Sequence, residues 1–336
     1  VTDYKKSFRL FNFHSWRPYI SDPEYSYSLV GENILNTFLS ELYFTYNNNE
    51  RSKETGAAFA YGGLFPIMRA GASYTFDRSF TDSANRITWN EFNSNIGLSV
   101  PLSFVKGLYS QNISGSATFN NRSVQYTGTS KDLYENKQFN IADFSFAFTN
   151  QRTKALQNIY PRLAQSISLR HRFIINKYTA YQFNTNGSFY FPGLFTNHSI
   201  VLQGGYQLRD TMQQYNFSNT FPISRGYSDI NYPRMWRMGV NYHLPLVYPD
   251  WGFGDIFYLL RIRGNAFYDY SRIISLRSGN HYELRSTGVE IYFDSKWWNQ
   301  LPISFGIRYS RLLDGELVGL SPNQWQFVLP LTLLSR

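Results

Sequence analysis

The sequence predicts an all-β fold, a transmembrane antiparallel β-barrel. Aromatic residues make up 19% of the 336 residues and charged residues only 16%, whereas a typical soluble domain carries about 25% charged residues. No run of 18 apolar residues occurs, which excludes a transmembrane helix. Apolar and polar residues alternate with period two along much of the chain. A membrane barrel accounts for all three observations, because its strands face lipid on one side and a polar lumen on the other.

The alternation also assigns individual side chains to the two faces of the sheet. The segment 256–270 places Ile256, Tyr258, Leu260 and Ile262 on one face, and Arg261, Arg263, Asn265 and Asp269 on the other. Soluble sandwiches rarely put charged residues in mid-strand opposite an aromatic face. We therefore predict that Arg261, Arg263 and, on the preceding strand, Arg237 face the lumen.

Sixteen segments have the length and pattern of strands. The first two are weak, so a count of fourteen strands remains an alternative, and both numbers are even, as expected for a single-chain bacterial barrel. The predicted strands are 5–16, 24–32, 36–48, 55–63, 66–79, 86–104, 107–127, 137–150, 163–176, 180–193, 197–210, 234–246, 256–270, 282–295, 301–312 and 323–334.

Short turns alternate with longer polar loops between these strands. Outer-membrane barrels have short periplasmic turns and long external loops, so the alternation makes 211–233 an external loop, the longest connection in the chain. The segment 151–162 is an exception, because it is long but falls on the periplasmic side. We predict that residues 1–336 form a single outer-membrane barrel domain.

The net charge of +9 comes from 32 Lys and Arg residues scattered along the chain, with no run of five or six basic residues. A nucleic-acid-binding tail would show such a run, so we expect no nucleic-acid partner. A polar lumen and contact with outer-membrane lipid and lipopolysaccharide account better for these charges. The chain has no cysteine, which excludes disulfides and thiolate metal sites. The predicted location is the outer membrane of a Gram-negative bacterium.

Catalytic and metal-binding patterns find little support in the sequence. It contains no Gly-x-Ser-x-Gly, His-Glu-x-x-His or P-loop motif, and its five histidines are dispersed. The carboxylates of Asp22 with Glu24, and of Asp314 with Glu316, offer oxygen ligands for a divalent cation, although loop carboxylates are usually only solvated. We predict that the protein is not an enzyme and that it uses no metal or other cofactor.

An ordered set of short motifs lies in the last third of the chain. Ser224-Arg225-Gly226-Tyr227 in the long loop is followed by Gly239 to Leu246, then by Phe267-Tyr268-Asp269 and Ser286-Thr287-Gly288. The order resembles the carboxyl-terminal third of the Omp85 superfamily, the outer-membrane insertases and two-partner secretion translocators. In that family an Arg-Gly-Phe/Tyr motif on the sixth external loop precedes five strands, and five predicted strands follow the motif here.

The resemblance implies a loop–lumen lock formed by Arg225, Gly226, Tyr227, Phe267 and Asp269. The loop 211–233 would fold toward the lumen, Arg225 would contact Asp269, and Gly226 would allow the backbone to turn sharply. A guanidinium matches a carboxylate with two parallel hydrogen bonds. Taken by itself, the tripeptide also fits an ordinary exposed loop arginine beside a turn glycine, and that alternative stays open.

The sequence departs from the family at Asn241, where a Glu is usual, so we expect no second acidic partner for Arg225. No POTRA-like segment occurs in the 336 residues. His14-Ser15-Trp16-Arg17-Pro18 and Gly62-Gly63-Leu64-Phe65-Pro66 resemble barrel modules of Bacteroidota proteins.

The function implied by the resemblance is the insertion, translocation or assembly of proteins at the outer membrane, with protein partners in a membrane complex. Two alternatives remain: a passive porin-like channel or solute transporter, and a structural barrel subunit of a larger complex. A barrel enzyme acting on lipid would require a clustered Ser, His and carboxylate at the lipid interface, and the sequence does not predict one.

Overall fold

The computed structural model describes residues 10–82, 85–212, 214–218, 221–228, 232–275, 279–298 and 300–329. Over these residues the chain is almost entirely β-structure, with one antiparallel sheet of seventeen strands. The strands are β1 Phe13–Ser21, β2 Glu24–Glu32, β3 Phe38–Asn47, β4 Ser52–Tyr61, β5 Ile67–Asp82, β6 Asn85–Lys106, β7 Tyr109–Tyr126, β8 Lys137–Arg152, β9 Ala164–Ile174, β10 Tyr181–Pro192, β11 Ser199–Arg209, β12 Arg234–Val247, β13 Trp251–Phe253, β14 Phe257–Ile274, β15 His281–Trp297, β16 Leu301–Leu312 and β17 Asn323–Val328.

The strand count differs from the predicted sixteen by one short strand. β13 has three residues and pairs with the beginning of β14, after the chain turns at Asp255, whose φ of 54° is left-handed. The hairpin is too short to show a period-two pattern, which is why the sequence did not predict it. The other sixteen strands correspond to the predicted ones.

The helical content of the described residues is small. One turn of α-helix spans Ser130–Leu133, and a 3₁₀ helix spans Gly315–Val318 after β16. Within the described part of the chain, no helix has the length and apolar character needed to cross a membrane.

Differences from the predicted boundaries are largest at the two ends of the chain and in β14. The first strand was predicted at 5–16 and begins at Phe13; residues 5–9 lie outside the described residues, as do residues 330–334 of the predicted last strand. β14 continues to Ile274 although 271–281 was predicted as a loop. Its polar residues Ser271 and Arg272 are paired with Arg237 and Trp236 of β12, so cross-strand pairing extends the strand beyond its own apolar pattern.

The chain divides into two compact units. The first comprises residues 1–102, 114–146 and 171–181. There Glu91, almost fully buried, receives hydrogen bonds from Arg78 at 3.1 Å and from Arg122 at 2.8 Å. A buried carboxylate needs such partners, because burial without them costs several kcal/mol.

The second unit comprises residues 103–113, 147–170 and 182–336, and it contains the motif loop, here defined as residues 221–228. Strands β11, β12, β14, β15 and β16 pair in sequence in this unit. An apolar cluster consists of Phe221, Tyr227, Met235, Ile273, Leu284 and Leu312, with Ile223 and Leu320 packed against it. The cluster therefore joins the motif loop to four strands. The single barrel domain predicted for residues 1–336 stays a prediction.

Candidate functional site

The motif loop contacts the sheet of the second unit through the guanidinium of Arg225. Arg225 Nε donates to Asp269 Oδ2 at 2.7 Å and Nη2 donates to Oδ1 at 2.9 Å, which is a bidentate ion pair. The backbone N–H of Arg225 also donates to Oδ2 at 3.0 Å. Asp269 lies in the middle of β14 and its side chain has no solvent exposure. Charge-assisted, bidentate hydrogen bonds of this kind are among the strongest that side chains form.

Asp269 has a further cationic partner in Arg237 of β12. Arg237 Nη2 donates to Asp269 Oδ1 at 3.1 Å, so the carboxylate accepts four hydrogen bonds. That number matches the lone-pair sites of an ionised carboxylate. The strand residue opposite Asp269 is Gly239, and a Cβ atom there would lie 2.6 Å from Asp269 Oδ1. Glycine at this position therefore leaves the space that the carboxylate occupies.

Phe267 supports the guanidinium of Arg225 from one side. The guanidinium carbon lies 3.6 Å from the centroid of the Phe267 ring, which is a close cation–π arrangement. Phe267 and Asp269 are two residues apart on β14 and so share one face of the strand. The structure thus brings Arg225, Phe267, Asp269 and Arg237 together, and their predicted role as a loop–lumen lock stays a prediction.

A second carboxylate, Glu290 of β15, contacts the same guanidinium. Glu290 Oε2 accepts from Arg225 Nη1 at 3.3 Å and from Asn265 Nδ2 at 2.6 Å, and Oε1 accepts from Arg308 Nε. The expectation that Arg225 lacks a second acidic partner was therefore wrong. The acid lies on β15, and Asn241 of β12 instead accepts a hydrogen bond from Asn265 at 3.2 Å.

Glu290 belongs to a row of polar residues that runs straight across five strands. The strand registers place His243, Asn265, Glu290, Arg308 and Gln326 directly opposite one another in turn. Period-two alternation indicates that each of these residues shares a face with its neighbours at i±2. It does not indicate which residues of different strands are opposite, so the sequence reasoning missed Asn265, Glu290 and Arg308 as members of the site.

Ser224 fixes the motif loop one residue before the arginine. Its backbone N–H donates to Ser271 Oγ at 3.0 Å, and its hydroxyl donates to the carbonyl of Leu284 at 2.8 Å. Ser224 and Ser271 are both almost completely buried. Their hydrogen bonds connect the loop to β14 and β15 without using any charged group.

Tyr227 fixes the loop on the other side of Gly226 and packs in the apolar cluster. Its hydroxyl donates to the carbonyl of Arg285 at 3.0 Å and accepts from the backbone N–H of Asp314 at 3.2 Å. Asp314 in turn pairs with Arg285 through two side-chain hydrogen bonds of 3.0 and 2.8 Å. The hydrogen bonds from Arg285 lower the pKa of Asp314 below its ordinary value. Asp314 is therefore engaged by an arginine, and within the described residues no cluster of three metal-ligating side chains occurs.

Gly226 packs closely against Leu312 of β16. Its φ is +88°, and a Cβ atom would lie 2.6 Å from Leu312 Cδ2. Both facts favour glycine, because only glycine adopts this φ without strain and because the space is filled.

Replacing Gly226 by Ala is expected to lower the free energy of unfolding by about 1–3 kcal/mol, from backbone strain and crowding together. The measurement is urea unfolding in detergent micelles. Gly319 is the matched control, since its φ is +68° but nothing lies within 4 Å of its Cβ position. Gly319→Ala reports the backbone strain alone, and equal losses for the two variants would contradict the close packing of Gly226 on Leu312.

Arg261 and Arg263 share the polar face with Asp269 but lie far from it. Six to eight residues along a strand correspond to roughly 20–26 Å. Both arginines instead contact Asp294: Arg263 Nε lies 3.2 Å from Oδ2, and Arg261 Nε donates to the same oxygen. The assignment of these residues to the polar face gives no information on their distance from the motif loop.

Comparison with solved structures finds the same fold in two Omp85-type barrels. BamA from Haemophilus ducreyi lacking POTRA domains 1–3 matches with a TM-score of 0.53 and 14% identity, over 93% of this chain and 68% of that one. CdiB from Escherichia coli matches with a TM-score of 0.50 and 12% identity, over 90% of this chain and 58% of that one. No protein-family model and no curated protein sequence matches the chain.

The predicted fold class is confirmed: the chain has the fold of the Omp85-type outer-membrane barrels. The outer membrane, which the sequence predicts as the location, is where barrels of this fold lie. The chain spans less than three fifths of the CdiB chain that it matches.

Proposed function

We propose that this chain is an outer-membrane barrel that acts on other proteins, by inserting, translocating or scaffolding them at that membrane. The observation that carries the proposal is the attachment of the motif loop by Arg225 to Asp269. The two residues are in contact at the positions that the resemblance to the Omp85 superfamily implies. The shared fold of BamA and CdiB supports the same class of function.

The contacts of Arg225 favour this function over a passive channel. A porin-like channel requires no partner for a loop arginine, whereas Arg225 has Asp269, Glu290 and Phe267 as partners in a largely buried site. Moving a guanidinium and a carboxylate out of water is costly, and the cost is recovered only with well-formed hydrogen bonds. A site of this kind is better explained by a loop that must stay attached to the sheet.

The proposal includes contact with the lipid and lipopolysaccharide of the outer membrane and with at least one protein partner.

The test of the function uses the purified chain in lipid vesicles, to which a urea-denatured outer-membrane barrel is added. We expect the added barrel to fold faster into these vesicles than into empty ones, while ion conductance through the vesicle membrane stays low. High conductance with no gain in folding rate would instead support the porin-like alternative.

A reversible covalent tether tests whether the ion pair acts by holding the loop. The hydroxyl oxygens of Ser224 and Ser271 lie 2.7 Å apart, and the chain has no cysteine of its own. The double variant Ser224→Cys/Ser271→Cys should therefore form one defined disulfide on oxidation.

In the background of Asp269→Asn, we expect the oxidised tether to restore attachment of the loop and the folding rate of the added barrel, and reduction to abolish both. The two single cysteine variants are the controls, because neither can form the intramolecular disulfide. If the oxidised tether forms and restores neither property, the ion pair has a role other than holding the loop.

A further inference from the structure

A polar chamber of about 280 Å³ lies in the second unit beside the motif loop. This volume is far above the roughly 10–15 Å³ that a single water needs. The residues of its lining that matter here are Tyr160, Arg225, Arg237, His243, Asn265 and Arg308. The chamber thus lies against the motif loop through Arg225 and against the connection between β8 and β9 through Tyr160.

The connection between β8 and β9, residues 153–163, is held against the polar face by several contacts. Tyr248 donates to the carbonyl of Gln157 at 3.1 Å, while Lys154 Nζ donates to the carbonyl of Ile159 at 3.0 Å within the connection itself. Arg261 Nη1 donates to the same carbonyl of Gln157 at 3.2 Å. The ring of Tyr160 packs edge-on against His243, with the centroids 4.8 Å apart. The connection therefore forms a fixed side of the chamber.

Three buried polar atoms on side chains of the lining have no hydrogen-bond partner within the described part of the chain. They are His243 Nδ1, Asn265 Oδ1 and Arg237 Nε. The side chains of His243 and Asn265 belong to residues that are only 5% and 2% exposed. Buried polar groups are almost always paired in native proteins, because leaving one unpaired costs about 1–3 kcal/mol. Arg237 Nε is a donor, Asn265 Oδ1 is an acceptor, and His243 Nδ1 donates or accepts according to the tautomer of the ring.

Positive charge exceeds negative charge around the chamber. Arg225, Arg237 and Arg308 face Asp269 and Glu290, a difference of +1. Close by, Arg261, Arg263 and Lys154 carry three positive charges beside the one negative charge of Asp294, which is a further excess of +2. Burial, followed by the charge of Arg261, lowers the pKa of Lys154 below its ordinary value. An anion in the chamber would reduce this excess.

We propose that the chamber binds a small oxyanion of the phosphate class. Arg237, Arg308 and the His243 ring donate to its charged oxygens; Arg308 has N–H groups beyond the two that it uses on Glu290 and Gln326. The oxygen of Asn265 accepts a hydrogen bond from the ligand. Phosphate fits this mixed lining, because at neutral pH it retains an O–H that can donate, whereas sulfate has none.

The chemistry is that of a phosphate group, which free phosphate and a lipid headgroup share. The first arm of the experiment measures the unfolding temperature of the full chain in detergent with added inorganic phosphate. The second arm uses glycerol phosphate, which carries the same group on a headgroup-sized substituent. We expect inorganic phosphate to bind at least about tenfold more tightly than sulfate, as for one hydrogen bond to a charged group. A response to glycerol phosphate alone would assign the chamber to a headgroup.

Two substitutions at His243 test which side chain recognises the anion. His243→Gln keeps a group that can donate and should retain phosphate binding, whereas His243→Phe keeps the ring against Tyr160 and should weaken binding about tenfold. Arg311→Gln is the control for charge, because Arg311 is exposed, on the other face of β16 from Arg308. Equal responses to phosphate, sulfate and chloride, unchanged in His243→Phe, would overturn the proposal and leave a chamber that holds water.

Discussion

Replacing Asp269 by Asn is expected to lower the free energy of unfolding by about 3–5 kcal/mol, the usual cost of removing one partner from a buried ion pair. The substitution removes the negative charge that the largely buried guanidinium groups of Arg225 and Arg237 share, at a carboxylate with no solvent exposure. It also turns an NH₂ group toward donors that require an acceptor. The measurement is urea unfolding of the variant in detergent micelles or vesicles.

Loss of the pair should also release the motif loop, and proteolysis can detect the release. Trypsin cleaves after arginine, so the bond between Arg225 and Gly226 reports whether the loop is attached. We expect Asp269→Asn to yield a fragment that begins at Gly226 and the native chain to yield none under the same limited digestion. Glu41→Gln is the control, since it makes the same change from carboxylate to amide at the ion pair with Arg17, whose side chain is 65% exposed and which lies in the other compact unit. A native loop that is cleaved as fast as the variant would contradict the attachment.

Replacing Glu290 by Gln is expected to lower the free energy of unfolding by about 3 kcal/mol. Glu290 is almost fully buried, and its oxygens accept from Arg225, Asn265 and Arg308. The glutamine amide keeps one oxygen as an acceptor, but its NH₂ group would face three groups that also donate. Arg225 keeps its bidentate pair with Asp269, so the loop should stay resistant to trypsin at Arg225. Urea unfolding and limited digestion together distinguish this variant from Asp269→Asn.

A compensating substitution tests whether the negative charge must lie on β15. Asn241 and Glu290 lie on either side of Asn265 and both accept from its Nδ2, at 3.2 and 2.6 Å. Placing the carboxylate on β12 in the double variant Asn241→Glu/Glu290→Gln should recover part of the lost stability. Complete failure to recover, with Asn241→Glu alone well folded, would indicate that only Glu290 can neutralise Arg308.

Exchanging the charges of Arg225 and Asp269 would not be an informative test of the ion pair. An arginine at position 269 would face Arg237, and an aspartate at position 225 would face Glu290, so both new residues would meet a like charge. Failure of the exchange to restore the protein would therefore say little about the pair itself. The disulfide between positions 224 and 271 avoids this difficulty, because it uses two neutral residues.

The chain's own pattern was sufficient to predict the fold class and most strands. Alternation assigned Asp269 to the polar face. The resemblance of the motif order to the Omp85 superfamily implied that Arg225 is its partner. The predicted lack of a second acid was wrong because the acid lies on β15, at Glu290, and not at position 241 of β12. Glu290 is 65 residues from Arg225 along the chain, and only the registers of β14 with β15 and of β15 with β16 bring it into the site.

The sequence by itself therefore determined the local and periodic part of this protein. That part comprises an antiparallel membrane sheet, the face of the sheet to which strand residues belong, and a loop that contains Arg225 and Gly226. The tertiary structure decided which residues of different strands are opposite one another, how Arg225 divides its hydrogen bonds between Asp269 and Glu290, and where residues 153–163 lie. The physical reason is that period-two alternation depends only on the backbone of one strand. Register depends on hydrogen bonds and side-chain packing between strands far apart in the chain.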